Sequence, residues 1–274
     1  MENYKEYLTE QQNENSMHID EMSSYEIAAL INKEDHRVAD AVETQLEAIG
    51  KAIDEIAARL KEGGRLVYIG AGTSGRLGVI DATECPPTYG VSPEVVQGII
   101  AGGKEAMFYS AEGAEDSAEN AVSDLKKIGF SEKDVCFGLS ASGSASYVCG
   151  ALEYAKSLGA LTVALSCRAG SKISGIAEIA ITPEVGAEVI SGSTRMKAAT
   201  AQKMVLTTVS TGVMVRLGRV KGNLMVYMKP SNIKLKNRAI RMVATACGTD
   251  FPTAEKALNE NGFVVSKAIE ALNG

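Results

Sequence analysis

Tryptophan is absent from the 274 residues, histidine occurs twice, and aromatic side chains make up only 5% of the chain. The two histidines, His18 and His36, lie far from any cysteine cluster, so zinc has no ligand set and neither a metal nor another cofactor is expected. The five cysteines (85, 136, 149, 167 and 247) are odd in number and never form C-x-x-C, which points to buried thiols in a reducing compartment rather than a disulfide framework. No apolar run reaches about 18 residues, and the polar N-terminus MENYKEYLTEQQNENSMHID lacks the apolar core of a signal sequence. No membrane association is expected, and the expected location is cytoplasmic. Positive charge is not in excess: 28 Lys and Arg against 34 Asp and Glu leave a net charge of −6, which argues against a nucleic-acid partner.

Apolar residues (45%), charged residues (23%) and 27 glycines suit a soluble α/β chain that buries its own core. Val38, Val42, Leu46, Ile49, Ile53, Ile56 and Leu60 recur at spacings of three and four, which predicts one helix over 34–61, ended by Gly63-Gly64. A strand-helix alternation follows: RLVYIG, VVQGII, a helix over 116–127, DVCFGL, a helix over 145–158, LTVALS and EIAIT. The fold class expected is α/β, a doubly wound, mostly parallel sheet flanked by helices, with a small C-terminal helical appendage. A largely buried helix is predicted over 193–217, another over about 232–246, and two short ones around Pro252 and Gly262. This divides the chain into an N-terminal helical arm (1–55), a central domain (56–225) and a C-terminal helical subdomain (226–274).

GAGTSGRLGVIDATECPPTYG, residues 70–90, opens with G-x-G-x-x-G at Gly70, Gly72 and Gly75. Such a turn entering a helix offers backbone N–H groups to an anion. An echo, DVCFGLSASGSASYVCGAL, also runs strand, Gly/Ser loop, helix, and both loops would face one crevice of an open sheet. Thr73, Ser74, Ser140, Ser142 and Ser144 supply hydroxyls suited to a compact phosphate; a dinucleotide or a plain tight turn remain alternatives for the glycine spacing alone. Glu84 is expected between a helix and a Pro-Pro break, near the loop mouth. Glu112, Glu115, Asp116 and Glu119 either favour a helix N-terminus or take part in chemistry. Thr194 to Lys197 spans one helical turn and could neutralise a phosphate, whereas KPSNIKLKNRAIR reads as solvated cationic surface.

LTEQQN, GGRLVYIGAGTSGRLGVIDATECPPTYG, EGAEDS, EVISGSTRMKAATAQKMVL and SNIKLKNRAIR, in this order and spacing, resemble the N-acetylmuramic acid 6-phosphate etherases of the sugar isomerase (SIS) fold, from about residue 8 to the C-terminus. The resemblance implies a lyase that cleaves the lactyl ether of N-acetylmuramic acid 6-phosphate by elimination and water addition. It implies Glu84 as the acid that assists lactate departure and Glu115 as the second acid/base. Gly72, Thr73, Ser74, Ser140, Ser142, Ser144, Ser193, Thr194 and Lys197 would bind the phosphosugar, and a homodimer with both chains lining each site is expected. The chain departs from the family pattern where Ser-Gly-Arg-Thr-Pro-Tyr becomes SGSASY. A non-catalytic sugar-phosphate-binding relative of the glucokinase regulatory type, and an aldose-ketose phosphosugar isomerase, are the competing readings.

Overall fold

The computed structural model describes residues 10–228, 230 and 232–273. The chain enters helix α1 (Ser24–Glu43) through a capping box in which Ser23 and Glu26 satisfy each other's backbone N–H groups. The single helix expected over 34–61 is two: α1 ends at Thr44 and α2 (Leu46–Lys61) begins after Gln45. Gln45 turns its side chain out of the helical path to accept the N–H of Thr182 at 2.9 Å. Leu46, placed on the apolar stripe by its spacing, is 56% exposed as a result.

Strands β1 (Leu66–Gly70), β2 (Val96–Ile100), β3 (Val135–Leu139), β4 (Leu161–Leu165) and β5 (Ile179–Ile181) form one parallel sheet in the order β2-β1-β3-β4-β5. Helices α3 (Gly72–Tyr89), α4 (Ala118–Lys127), α5 (Ser146–Ser157), α6 (Lys172–Ile176) and α7 (Lys197–Arg216) complete the body. Leu66 and Tyr68 of β1, with Val135, Phe137 and Leu139 of β3, pack on one face among α1, α2, α3 and α7. Val67, Ile69 and Cys136 pack on the other with α4 and α5. Alternate residues therefore serve opposite cores, as burial of a parallel sheet on both faces requires. A boundary between residues 55 and 56 would cut α2, and α1 and α2 share their core with the sheet.

Two helix boundaries differ from those read in the sequence. Helix α3 runs through Pro86 and Pro87 to Gly90, whose φ of 67° ends it. Packing of Ala82 and Cys85 against the core outweighs the two missing N–H donors. Helix α7 starts at Lys197 rather than 193, preceded by a turn in which Met196 N–H meets Ser193 O at 3.2 Å. Beyond it, α8 (Ile233–Cys247), α9 (Phe251–Glu260) and α10 (Val265–Asn273) surround a cluster of their own with Val226 and Met228. Among the described residues no helix is long and apolar enough to cross a membrane.

Candidate functional site

The strand order reverses between β1 and β3, so the loops leaving their C-terminal ends face one crevice. The glycines after β1 have separate steric roles. A Cβ on Gly75 would lie 2.6 Å from Gly70 O, and one on Gly70 would lie 2.9 Å from Gly75 N, so strand and helix approach backbone to backbone. Gly72 takes a φ of 52°, a conformation that suits glycine and here opens α3. The first N–H groups of α3 have no intrahelical acceptor and lie at the positive end of the helix dipole. In the second loop, Gly143 (φ 71°) donates its N–H to Ser140 O and Oγ, each at 3.1 Å, and Ser142 and Ser144 join hydroxyl to hydroxyl at 2.8 Å.

The two loops enclose a cavity of about 260 Å3. Gly72, Thr73, Ser74, Ser140 and Ser142 line it, together with Thr194 and Glu115. An adjoining space of about 290 Å3 shares Ala71, Gly72 and Glu115 and is closed by Arg76 and the turn over 110–114. Glu115 therefore stands where the two spaces meet. Ser144 backs Ser142 without forming the wall, and Ser193 is also outside it, its N–H donated to Ile190 O.

Two expected placements are corrected. Lys197 is 1% exposed, with Nζ bonded to Glu34 Oε2 at 2.6 Å, so it cannot reach the cavity. Burial pushes the Glu34 carboxyl up, but hydrogen bonds from Lys197 and Asn13 outweigh it and hold the group below its ordinary value. The amides that open α7 are equally unavailable: Glu188 accepts from Lys197 N–H at 3.0 Å and Ala198 N–H at 2.9 Å. Burial raises the Glu188 carboxyl above its usual range. The cationic turn is thus neutralised from inside.

Glu84 is the second correction. Because α3 continues through the prolines, Glu84 lies exposed on that helix rather than at the loop mouth, and twelve residues of helix place it about 18 Å along the axis from Gly72. Within one chain the two glutamates do not share the cavity.

Three residues escaped the sequence reading. Glu10 lines the cavity, brought there by a segment pinned along 187–191: Ser191 Oγ donates to Glu10 O at 2.9 Å, Asn13 Nδ2 to Ala187 O at 3.2 Å and Ser16 Oγ to Val189 O at 2.7 Å. Arg76 donates to Met107 O and Tyr109 O, each at 3.2 Å, and ties down the loop that carries Glu115. Gln202, buried on α7, accepts the Ser74 hydroxyl at 2.9 Å. A lone Glu, Arg or Gln carries no local signal; only the repeated Gly/Ser loops did. No group of three or more metal-ligating side chains occurs among the described residues.

Residues 118–211 match the SIS domain, and residues 48–156 match the glucokinase regulatory protein N-terminal SIS domain. Over 267 residues the chain is 55% identical to an N-acetylmuramic acid 6-phosphate etherase of Clostridium beijerinckii, covering 97% of this chain and 88% of the relative. A Lactobacillus gasseri protein of the same name is 53% identical over 265 residues, covering 95% and 89%. Among solved structures, a protein of E. coli CFT073 aligns with a TM-score of 0.54 at 16% identity, over 76% of this chain and all of that one (100%). A phosphoheptose isomerase from Neisseria gonorrhoeae aligns with a TM-score of 0.52 at 16% identity, over 69% and 97%. At such identity the likeness is one of fold.

Proposed function

The chain belongs to the N-acetylmuramic acid 6-phosphate etherases, and from that premise we propose how the residues of its cleft divide the reaction. The enzyme cleaves the D-lactyl ether of N-acetylmuramic acid 6-phosphate to give N-acetylglucosamine 6-phosphate and D-lactate. We assign the 6-phosphate to the first turn of α3 with Thr73 and Ser74, opposite Ser140 and Ser142. Backbone donors at a helix N-terminus and small hydroxyls suit a terminal phosphate. In the open-chain sugar the aldehyde acidifies the C2 proton. A base removes it, the C2–C3 double bond forms, the C3–O bond breaks, and an acid protonates the departing lactate oxygen. Water then adds at C3 and a proton returns to C2.

Of the carboxylates in the cleft wall, Glu10, Glu112 and Glu115, only Glu115 lines both spaces, and it is the group we assign to the C2 proton. The observation that carries this reading is the pair of like-shaped loops facing one cavity with that carboxylate between its two lobes. If Glu84 is the acid, it must come from a second copy of the chain, because its own cleft lies about 18 Å away along α3. We therefore propose a homodimer whose sites each draw on both chains. Ile80, one turn before Glu84 and 52% exposed, gives that face an apolar contact. Burial of four of the five cysteines supports a reducing, cytoplasmic setting, and the separate C-terminal cluster supports a helical subdomain over 226–274.

The test is D-lactate release from N-acetylmuramic acid 6-phosphate, with deuterium exchange at C2 of N-acetylglucosamine 6-phosphate followed in parallel. Glu115→Gln should lose both activities. Retained C2 exchange in that variant would remove Glu115 from the base role.

A further inference from the structure

The Ser74 hydroxyl has one proton, and in this structure that proton points away from the cavity, onto Gln202 Oε1 at 2.9 Å. Gln202 is 1% exposed, and its Nε2 has no hydrogen-bond partner. An amide donor left bare in the interior is costly, and half of this side chain's bonding capacity is therefore idle. Rotating the carboxamide by half a turn would put Nε2 against Ser74 Oγ. The amide would then donate, and the Ser74 proton would be released toward the cavity that Ser74 lines.

We propose that Gln202 is a positioning residue for the phosphate site: its carboxamide turns over when a sugar phosphate binds and redirects the Ser74 hydroxyl from the protein interior to a phosphate oxygen. Without that turn, a ligand drawing the Ser74 proton would leave two oxygens, Ser74 Oγ and Gln202 Oε1, facing each other with no hydrogen between them. With it, Gln202 donates to Ser74 and Ser74 donates to the phosphate, each link polarising the next. The device sits between α3 and α7, the two helices that Ser74 and Gln202 belong to. This inference rests on the phosphate assignment above.

The experiment is calorimetric binding of N-acetylglucosamine 6-phosphate to the full chain, its Ser74→Ala, Gln202→Met and double variants, with thermal melting of each. Methionine keeps the length of the side chain and removes the bare donor, so Gln202→Met should melt no lower than the wild type while its affinity drops about tenfold. The double variant should bind no more weakly than Ser74→Ala, since without the hydroxyl there is nothing to position. As a second readout, the affinity of Gln202→Glu relative to wild type should rise as the pH is lowered from about 8.5 to about 5.5, because only a protonated carboxyl can donate to Ser74. Unchanged affinity in Gln202→Met, or losses that simply add in the double variant, would overturn the proposal. Failure of the wild type itself to bind the sugar phosphate would instead overturn the phosphate assignment.

Discussion

Pairing of two individually inactive chains is the sharpest test of where Glu84 acts. Glu84 and Glu115 are separated in one chain by most of α3, about 18 Å of helix between the cleft and Glu84, a span no glutamate side chain crosses. Glu84→Gln and Glu115→Gln should each abolish lactate release. If each site takes Glu115 from one chain and Glu84 from the other, a hybrid dimer holds one site with both glutamates and one with neither. Random re-pairing of equal amounts makes half of the dimers hybrid, so the mixture should recover about a quarter of wild-type activity. The assay is D-lactate release after the two variants are mixed under mild dissociating conditions and returned to buffer. Activity that stays at the sum of the parents, although hybrids are seen by mass when one variant is labelled with 15N, would refute the shared site. Full activity in Glu84→Gln alone would remove that residue from proton transfer.

Three further outcomes follow from the geometry. Lys197→Met should leave Glu34 without its buried cation and lower stability by about 3–5 kcal/mol, measured by denaturant unfolding; a loss below about 1 kcal/mol would mean that Asn13, Asn15 and the exposed Arg37, 3.5 Å from Glu34 Oε1, suffice. Glu34 is held below its ordinary value of 4.5, so its contribution is fully present above that pH and disappears as pH falls through the lower folded-state value. The fall in stability on acidification below 4.5 should accordingly be shallower in Glu34→Gln, and equal slopes would contradict the assignment. Gly75→Ala should cost about 1–3 kcal/mol and weaken sugar-phosphate binding, because its Cβ would meet the backbone Gly70 O at 2.6 Å and Ile100 Cγ1 at 2.8 Å.

Much of the body was legible because it rests on local, repeating signals. Short apolar runs marked each strand of the sheet, and the duplicated Gly/Ser loops marked the crevice. What escaped depends on partners far away in sequence. Gln45 leaves its helix for Thr182, 137 residues on, and a spacing count over 34–61 has no means of registering that. The Pro-Pro pair after Glu84 looked like a break because proline costs a helix about 3 kcal/mol in isolation, yet Ala82 and Cys85 pack on the core and α3 runs on to Tyr89. Glu10 reaches the cleft only because 187–191 offers its carbonyls and hydroxyl to the N-terminal segment, a match between distant parts of the chain.

The two helix N-termini, those of α3 and α7, differ in whether the turn opens onto the cleft. Both lie in stretches rich in glycine, serine and threonine, and both open with amides that have no intrahelical acceptor, so from sequence each is a candidate anion site. At α7 the anion is already part of the chain: Glu188 occupies the amides at 2.9 and 3.0 Å, and Lys197 turns inward to Glu34. At α3 the N-cap is Ala71, whose side chain can accept nothing, and the turn opens onto the cavity. An internal carboxylate closes one dipole, and an apolar cap leaves the other for a ligand. Placing an acceptor at the open end should therefore mimic the closed one: Ala71→Asp puts a carboxylate beside the amides of Thr73 and Ser74, where an N-cap side chain normally bonds. Stability should rise by up to about 1 kcal/mol while sugar-phosphate affinity falls, the two moving in opposite directions because one set of donors serves both. Unchanged affinity in a variant that melts higher would mean that the phosphate does not use the α3 amides, and the anion site would have to be moved to the serine loop after β3.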